Sequence, residues 1–266
     1  MRWTDVPAGE INAAIQRFWD ALGNEAGMVA DRMKNDIDFA RQVALFAVKT
    51  SFQPSISQRR AREIMGRDCF GIEEAVKYFG VNPTEAQLAA LAKAPFSEAI
   101  LESVKGGFIL VAVFPMSILD IRDKVGYILS HPLNCPGLLP WYEKDAFAMD
   151  KGEVGWRLVR KTPVPGSTRK LLSDNRVLLS KDEEIPLAQV MVYTIIGHYL
   201  AAGERLFEKV SVQTDYHVWS ALHSCVGPFD HKGLHIIPQW GAQCSDNIGC
   251  SSALLPAGAL AQVGEC

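Results

Sequence analysis

The sequence predicts an α+β protein whose N-terminal half is helical and whose C-terminal half combines strands with helices. Before the pair Gly106 and Gly107, apolar residues recur three and four positions apart, which is the spacing of one helical face. After this pair, short runs of branched and aromatic residues lie between glycines and prolines, which is typical of buried strands. These observations divide the chain into an N-terminal helical segment (1–55), a helical hairpin region (56–105), an α+β domain (106–256) and a weakly structured tail (257–266).

The helical half is predicted from apolar faces and from signals at helix ends. Residues 11–22 place apolar side chains on one face of a first helix. The stretch SFQPSISQ (51–58) combines a proline with serines and glutamines and is predicted to be a linker. Gly80 stands where a helix C′ residue takes positive φ, and Thr84 with Gln87 forms a capping-box pattern. One helix is therefore expected to end at Gly80 and another to begin at Thr84.

The C-terminal half is predicted to build a sheet. FILVAVFP (108–115) is an apolar run between glycines and a proline, which favours a buried strand. GEVGWRLVRK (152–161) alternates apolar and polar residues and is expected to form a half-exposed strand beside it. Residues 187–202 are apolar nearly all round, which predicts a buried helix that ends at Gly203 and packs on the sheet. The strands after Val210 are expected to complete this sheet.

Composition and charge limit the classes of partner. Hydrophobic residues make up 48% and charged residues 21%, which is common for globular proteins. The formal net charge of -3 gives no general reason to expect nucleic acid or an anionic membrane as partner. The N-terminus lacks the pattern of a secretory signal, and no apolar run reaches the roughly 20 residues of a membrane span. We expect a cytoplasmic protein without membrane insertion, whose six cysteines are reduced thiols.

Residues that could act in catalysis or bind a metal show no recognised spacing. The sequence contains no GxSxG, GxxxxGK[ST] or GxGxxG stretch. Histidines and cysteines cluster near the C-terminus but match no zinc-binding pattern. The members of this cluster are His217, His223, Cys225, His231, His235, Cys244 and Cys250. We expect no catalytic residue, no metal ligand and no cofactor, and a metal-dependent enzyme built on this cluster is the first alternative.

Residues 73–93 have the order of a helix-turn-helix motif, with a Gly-Val turn before a capped second helix. A helix that reads DNA needs Arg, Lys, Asn or Gln toward base edges and phosphates. Residues 84–93 offer only Gln87 and Lys93 for this purpose. A structural hairpin is favoured, and binding of nucleic acid or a partner helix by the N-terminal half is the second alternative.

The stretch GPFDHKGLHIIPQWGAQCSDNIGCSSA (227–253) separates two kinds of residue. Its regular positions and the preceding Val226, here called the frame, are Val226, Gly227, Phe229, Asp230, Gly233, Leu234, Trp240, Asp246, Asn247, Ile248, Gly249, Ser251, Ser252 and Ala253. Together with QVMVYTIIGHYLAAGERLFEK (189–209), the frame resembles a set of bacterial multi-copy proteins whose copies differ mainly at the C-terminus. That set is similar to the variable (target) proteins of diversity-generating retroelements. The resemblance covers about residues 57–253.

The resemblance implies a C-type-lectin-like ligand-binding domain in residues 106–256. In such systems error-prone reverse transcription rewrites codons of the terminal stretch, which forms the ligand-binding face. It thus implies a non-catalytic binding protein for an unknown protein or small molecule. The implied ligand-binding residues, here called the contact residues, are Tyr216, His217, Trp219, His223, Cys225, Pro228, His231, His235, Ile237, Pro238, Gln239, Ala242 and Gln243. Within the frame, glycines are expected to hold the turns, and Phe229, Leu234, Trp240 and Ile248 are expected to hold the core. Contact residues are expected to tolerate substitution.

Overall fold

The computed structural model describes the chain in segments that belong to two units. The segments are residues 15–16, 18–20, 22–40, 54–129, 142–219, 222–240 and 245–256, with the backbone alone at 127, 216–219, 222 and 240. The units are Met1–Gln53 and Pro54–Cys266. The first unit contains a 3-10 turn, Gly23–Glu25, followed by helix α1, Ala26–Asn35.

Short helices make up much of the second unit. Those within the described segments are α2 (Ile56–Met65), α3 (Ile72–Phe79), α4 (Glu85–Leu91), α5 (Glu98–Val104), α6 (Ile118–Val125), α7 (Ala146–Met149), α8 (Leu172–Arg176) and α9 (Ala188–Ala202). Turns of 3-10 helix follow α2 at Gly66–Asp68 and α6 at Gly126–Ile128. Among the described helices, none has both the length and the apolar character needed to cross a membrane.

Local capping signals set several helix ends. Gly80 is left-handed at φ 63°, and the side chains of Thr84 and Gln87 accept hydrogen bonds from each other's backbone N–H groups, so both predictions are confirmed. The linker predicted over residues 51–58 is wrong at its C-terminal end. Ser55 and Gln58 form another capping box there, and this box starts α2 because it satisfies otherwise unpaired N–H groups.

The strands form two separate sheets. The strands are β1 (Cys69–Phe70), β2 (Phe108–Val113), β3 (Gly155–Arg160), β4 (Glu183–Glu184), β5 (Ser211–Trp219), β6 (Leu222–Asp230), β7 (Gly233–Trp240), β8 (Ile248–Cys250) and β9 (Ala253–Leu254). The first sheet has the order β1-β2-β3-β9-β4, and the second has the order β7-β6-β5-β8. Helices and two mixed sheets together give an α+β fold.

The first sheet confirms the two predicted strands. All six residues of β2 are buried, and β2 pairs antiparallel with β3. The region predicted as a separate helical hairpin (56–105) belongs to the same unit, because β1 pairs parallel with β2. In addition, the carbonyl oxygen of Leu91 in α4 accepts hydrogen bonds from Gln58 at 2.7 Å and from Trp156 of β3 at 3.0 Å.

Helix α9 lies in the core and contacts both sheets. Tyr193 donates a hydrogen bond to the carbonyl of Ala112 in β2 at 3.1 Å, and the ring of Tyr199 packs edge-on against Phe229 of β6. A Cβ atom on Gly197 would lie 2.9 Å from the ring of Phe70, so the absence of a side chain allows this close approach. The predicted buried helix ending at Gly203 is confirmed.

The prediction that all strands after Val210 complete the first sheet is wrong. Only β9 joins it, where Ala253 and Leu254 pair with Val159 and Leu158 of β3. The remaining four strands form the second sheet. The physical reason is edge availability: the edge strands of the first sheet, β1 and β4, are each two residues long and offer little backbone for pairing, so the long strands β5 to β7 pair with one another.

Candidate functional site

The β6–β7 hairpin brings several contact residues onto one face. Its register places His223 opposite Gln239 and Cys225 opposite Ile237. Residues directly opposite in an antiparallel pair lie on the same face, so these four side chains share one side of the sheet. His235 precedes Ile237 by two positions along β7 and therefore lies on this side too. We call this side the hairpin face.

The hairpin face is part open and part buried. His223, His235 and Ile237 are half-exposed. Cys225 and Gln239, by contrast, are 0% and 4% exposed, so the expectation that they contact a ligand at the surface is wrong. Burial raises the pKa of the Cys225 thiol to about 12, which keeps it protonated.

A buried polar network explains why these two side chains lie inside. The Cys225 thiol donates to the Gln239 side-chain oxygen at 2.9 Å. The Gln213 amide nitrogen lies 3.5 Å from the same oxygen, and the Gln213 oxygen accepts from Asn175 of α8 at 2.8 Å. Asn175 is itself fully buried, so these donors and acceptors pair within the protein instead of with solvent.

His235 is held in place by an acidic neighbour at the end of the hairpin. Its Nε2 atom lies 3.0 Å from Oδ1 of Asp230, which also accepts the backbone N–H of Lys232 at 2.8 Å. Burial disfavours the charged carboxylate, but these hydrogen bonds hold the pKa of Asp230 below its ordinary value. The imidazole is thus oriented by an ionised partner while one side of it stays open to solvent.

The other contact residues lie apart from the hairpin face or outside the described side chains. His231 is exposed at the hairpin tip, Pro238 is exposed on the opposite face, where it pairs with Ser224, and Pro228 is half-exposed in β6. The backbones of three further residues lie in β5, and His217 is in register with His223. These three residues are Tyr216, His217 and Trp219, and their side chains lie outside the described residues. Ala242 and Gln243 lie outside the described residues altogether.

Buried frame residues anchor the hairpin in the core. Phe229 and Leu234 are 1% and 0% exposed, which confirms them as core, while the side chain of Trp240 lies outside the described residues. Gly227 has φ 106°, and a Cβ there would lie 2.5 Å from the carbonyl oxygen of Val210, so only glycine fits.

Two buried frame serines, directly before β9, form hydrogen bonds with β3 and β4 of the first sheet. Ser252 donates to the Glu183 carboxylate at 2.7 Å, and Ser251 donates to the carbonyl of Arg160 at 3.2 Å. These hydrogen bonds explain why serines stand at the first two positions of the Ser-Ser-Ala sequence of the frame.

A second polar centre lies inside the protein and was not predicted from the sequence. Lys161 Nζ lies 2.8 Å from Asp68 and 3.0 Å from Glu204, and His198 Nε2 lies 3.1 Å from Glu204. The carboxylate and imidazole ligand atoms lie within 4.8 Å of one another, which is a geometry that could hold a metal ion. The Lys161 ammonium already supplies a cation between the two carboxylates, so the arrangement is a buried ion cluster.

Burial and charge set the protonation of this ion cluster. Burial lowers the pKa of His198, and the Lys161 charge adds to this effect, although the hydrogen bond to Glu204 opposes it. Burial alone would raise the pKa of Glu204, but hydrogen bonds from His198 and Lys161 lower it. Neutral imidazole beside an ionised carboxylate is the resulting state near neutral pH. Residues so far apart in the chain have no motif spacing that could have predicted the cluster.

The metal site in the histidine and cysteine cluster and the helix-turn-helix are the two alternative functional sites. Within the described side chains, the C-terminal histidines and cysteines form no group with metal-binding geometry. In the predicted helix-turn-helix, the Gln87 side chain accepts the N–H of Thr84 at 2.9 Å and so serves as a helix cap. Helix α4 ends at Leu91, which places Lys93 beyond it. Neither of the two possible DNA contacts is therefore a free side chain within that helix.

Comparison of the chain with models of protein families, with curated proteins and with solved structures finds no match. Functional inference therefore depends on the geometry of the described residues.

Proposed function

We propose that this chain is a non-catalytic ligand-binding protein that uses the hairpin face of β6 and β7. The observation that supports this is the alternation along residues 234–237 of β7. Leu234 and Ile236 are 0% and 2% exposed, while their neighbours His235 and Ile237 are half-exposed on the opposite side. Positions that hold the fold are thus separated from positions that can contact a ligand, as a binding surface that varies in sequence requires.

The open residues have side chains suited to contact. The imidazoles of His223 and His235 combine an apolar ring with hydrogen-bonding nitrogens, and Ile237 adds apolar surface between them. Because Asp230 orients His235, little conformational entropy is lost when a ligand binds this side chain. The binding partner in this proposal is a protein or small molecule, with His231 at the hairpin tip as a further contact.

The proposal includes the origin of the variation. On the resemblance described above, the chain is a variable protein of a diversity-generating retroelement with a C-type-lectin-like C-terminal domain. Under this proposal the contact residues whose side chains lie outside the described residues are further positions that vary in sequence. Cys225 and Gln239 are removed from the contact residues because of their burial.

Sequencing of sibling copies in the same genome tests this proposal directly. We expect differences to concentrate at His223, His231, His235 and Ile237, with Phe229, Leu234 and Ile236 unchanged. Differences spread evenly over both sets, or concentrated in the buried set, would overturn it.

Metal analysis of the purified protein tests the non-catalytic part separately. Under the proposal, zinc is substoichiometric after dialysis. Stoichiometric zinc that resists dialysis and is lost in a His223→Ala variant would favour the metal-dependent enzyme instead. Lys232→Ala, at the exposed hairpin tip and outside the histidine and cysteine cluster, is the matched comparison for nonspecific loss of binding.

A further inference from the structure

A cavity of about 430 Å³ lies away from the hairpin face, where β2, β3, β4, β5 and the start of α9 meet. Its apolar wall consists of Val113, Ile185, Leu187 and Val190. None of the contact residues with described side chains lines it. The volume falls within the range of roughly 300 to 1,000 Å³ of small-molecule sites in proteins.

The polar wall of this cavity has an excess of negative charge. Four carboxylates line it, from Asp150, Glu153, Glu184 and Asp215, against the single guanidinium of Arg157. An apolar surface beside an excess of carboxylates is complementary to an organic cation with an apolar body.

Two of the carboxylates lie close enough to influence each other. Burial raises the pKa of Glu184, Arg157 opposes this rise, and the negative charge of Asp215 adds to it. Arg157 Nε is 3.7 Å from Glu184, which is longer than a hydrogen bond, whereas Asp215 bonds to Arg176. Among the described residues, therefore, no cation forms a hydrogen bond with Glu184, which lines the cavity.

An independent polar group lies next to Gly152 of the cavity wall. Gln189, in the first turn of α9, is 2% exposed, and neither its amide nitrogen nor its amide oxygen has a hydrogen-bond partner among the described residues. Its Oε1 lies 2.8 Å from the position that a Cβ on Gly152 would occupy, and Gly152 lines the cavity. A buried amide without partners is costly, so a ligand group that bonds it offsets that cost.

We propose that this cavity binds a small molecule with a primary amine and a short aliphatic chain. The ammonium group donates hydrogen bonds to Glu184 and Asp215, and the aliphatic chain packs against Ile185 and Val190. An ammonium has three donors and no acceptor, which matches two carboxylates and a nearby amide oxygen. This site goes beyond the proposed function, because it is distinct from the hairpin face and does not depend on sequence variation there.

Calorimetric titration of the full chain with hexylamine tests the proposal, with hexanol and hexanoate as uncharged and anionic probes of the same chain length. We expect hexylamine to bind more tightly than either comparison probe. In Glu184→Gln and Asp215→Asn, which remove a charge with little change of shape, its dissociation constant should rise about tenfold or more. Glu85→Gln, at an exposed position on α4, is the matched control and should bind as the parent does.

A second variant keeps the test independent of charge. Val190→Phe fills the apolar part of the cavity and should also weaken hexylamine binding, while thermal melts confirm that each variant folds. Absence of hexylamine binding to the parent chain, equal binding of hexanol, or unchanged affinity in folded Glu184→Gln would each overturn the proposal.

Discussion

Replacement of Phe229 by alanine tests whether the frame positions hold the hairpin. Phe229 is 1% exposed, and its ring lies 4.9 Å from that of Tyr199 on α9. Removal of a fully buried phenylalanine leaves a cavity and costs about 3 to 5 kcal/mol. For a unit of this length we expect the melting temperature to fall by roughly 6 to 20 °C.

The matched change two positions along the chain is His231→Ala. His231 is exposed at the hairpin tip, so we expect the free energy of unfolding to change by less than about 0.5 kcal/mol. Urea denaturation, with the slope compared between variants, measures both changes. A loss at His231 as large as that at Phe229 would refute the separation of frame and contact residues, and so would a cost below about 1 kcal/mol at Phe229.

Three further changes test the core. Lys161→Met leaves the buried Asp68 carboxylate without its ammonium partner and should cost on the order of 3 kcal/mol in urea denaturation, while exposed Lys93→Met should be neutral. Gly197→Ala forces a methyl group against the Phe70 ring and should lower the free energy of unfolding by about 1 to 3 kcal/mol. Because the pKa of His198 is lower in the folded state, the unfolded state binds its proton more readily, so stability should fall as the pH drops below about 6.5. A His198→Gln variant with an equally steep decline in its melting temperature would contradict this assignment.

Helix ends and strand positions were largely predictable from the sequence. Gly80 and the Thr84–Gln87 pair act within a single helix end, so their effect depends on residues only a few positions away. The run 108–113 forms a buried strand because it has no polar side to present to solvent. The capping box at Ser55 and Gln58 was present in the sequence too, but the neighbouring proline and serines favoured a linker.

The candidate site was predictable only in part. The resemblance placed His235 and Ile237 among the contact residues, and in the structure both are half-exposed on the side of β7 opposite Leu234. Burial of Cys225 and Gln239 was not predictable, because the polar network that contains them also includes Asn175 of α8, which is distant in sequence. A strand pattern tells which residues share a face, but only the packed structure tells what covers that face.

The sequence by itself determined several helix ends, the buried strand β2, the half-exposed strand β3 and the apolar helix α9, since these depend on local spacing and polarity. Only the tertiary structure decided how the strands divide between two sheets, because strand pairing depends on which edges are already occupied. It also decided the ion cluster and the acidic cavity. Asp68 and Lys161, 93 positions apart, become partners only when folding brings their segments together and excludes water from between them.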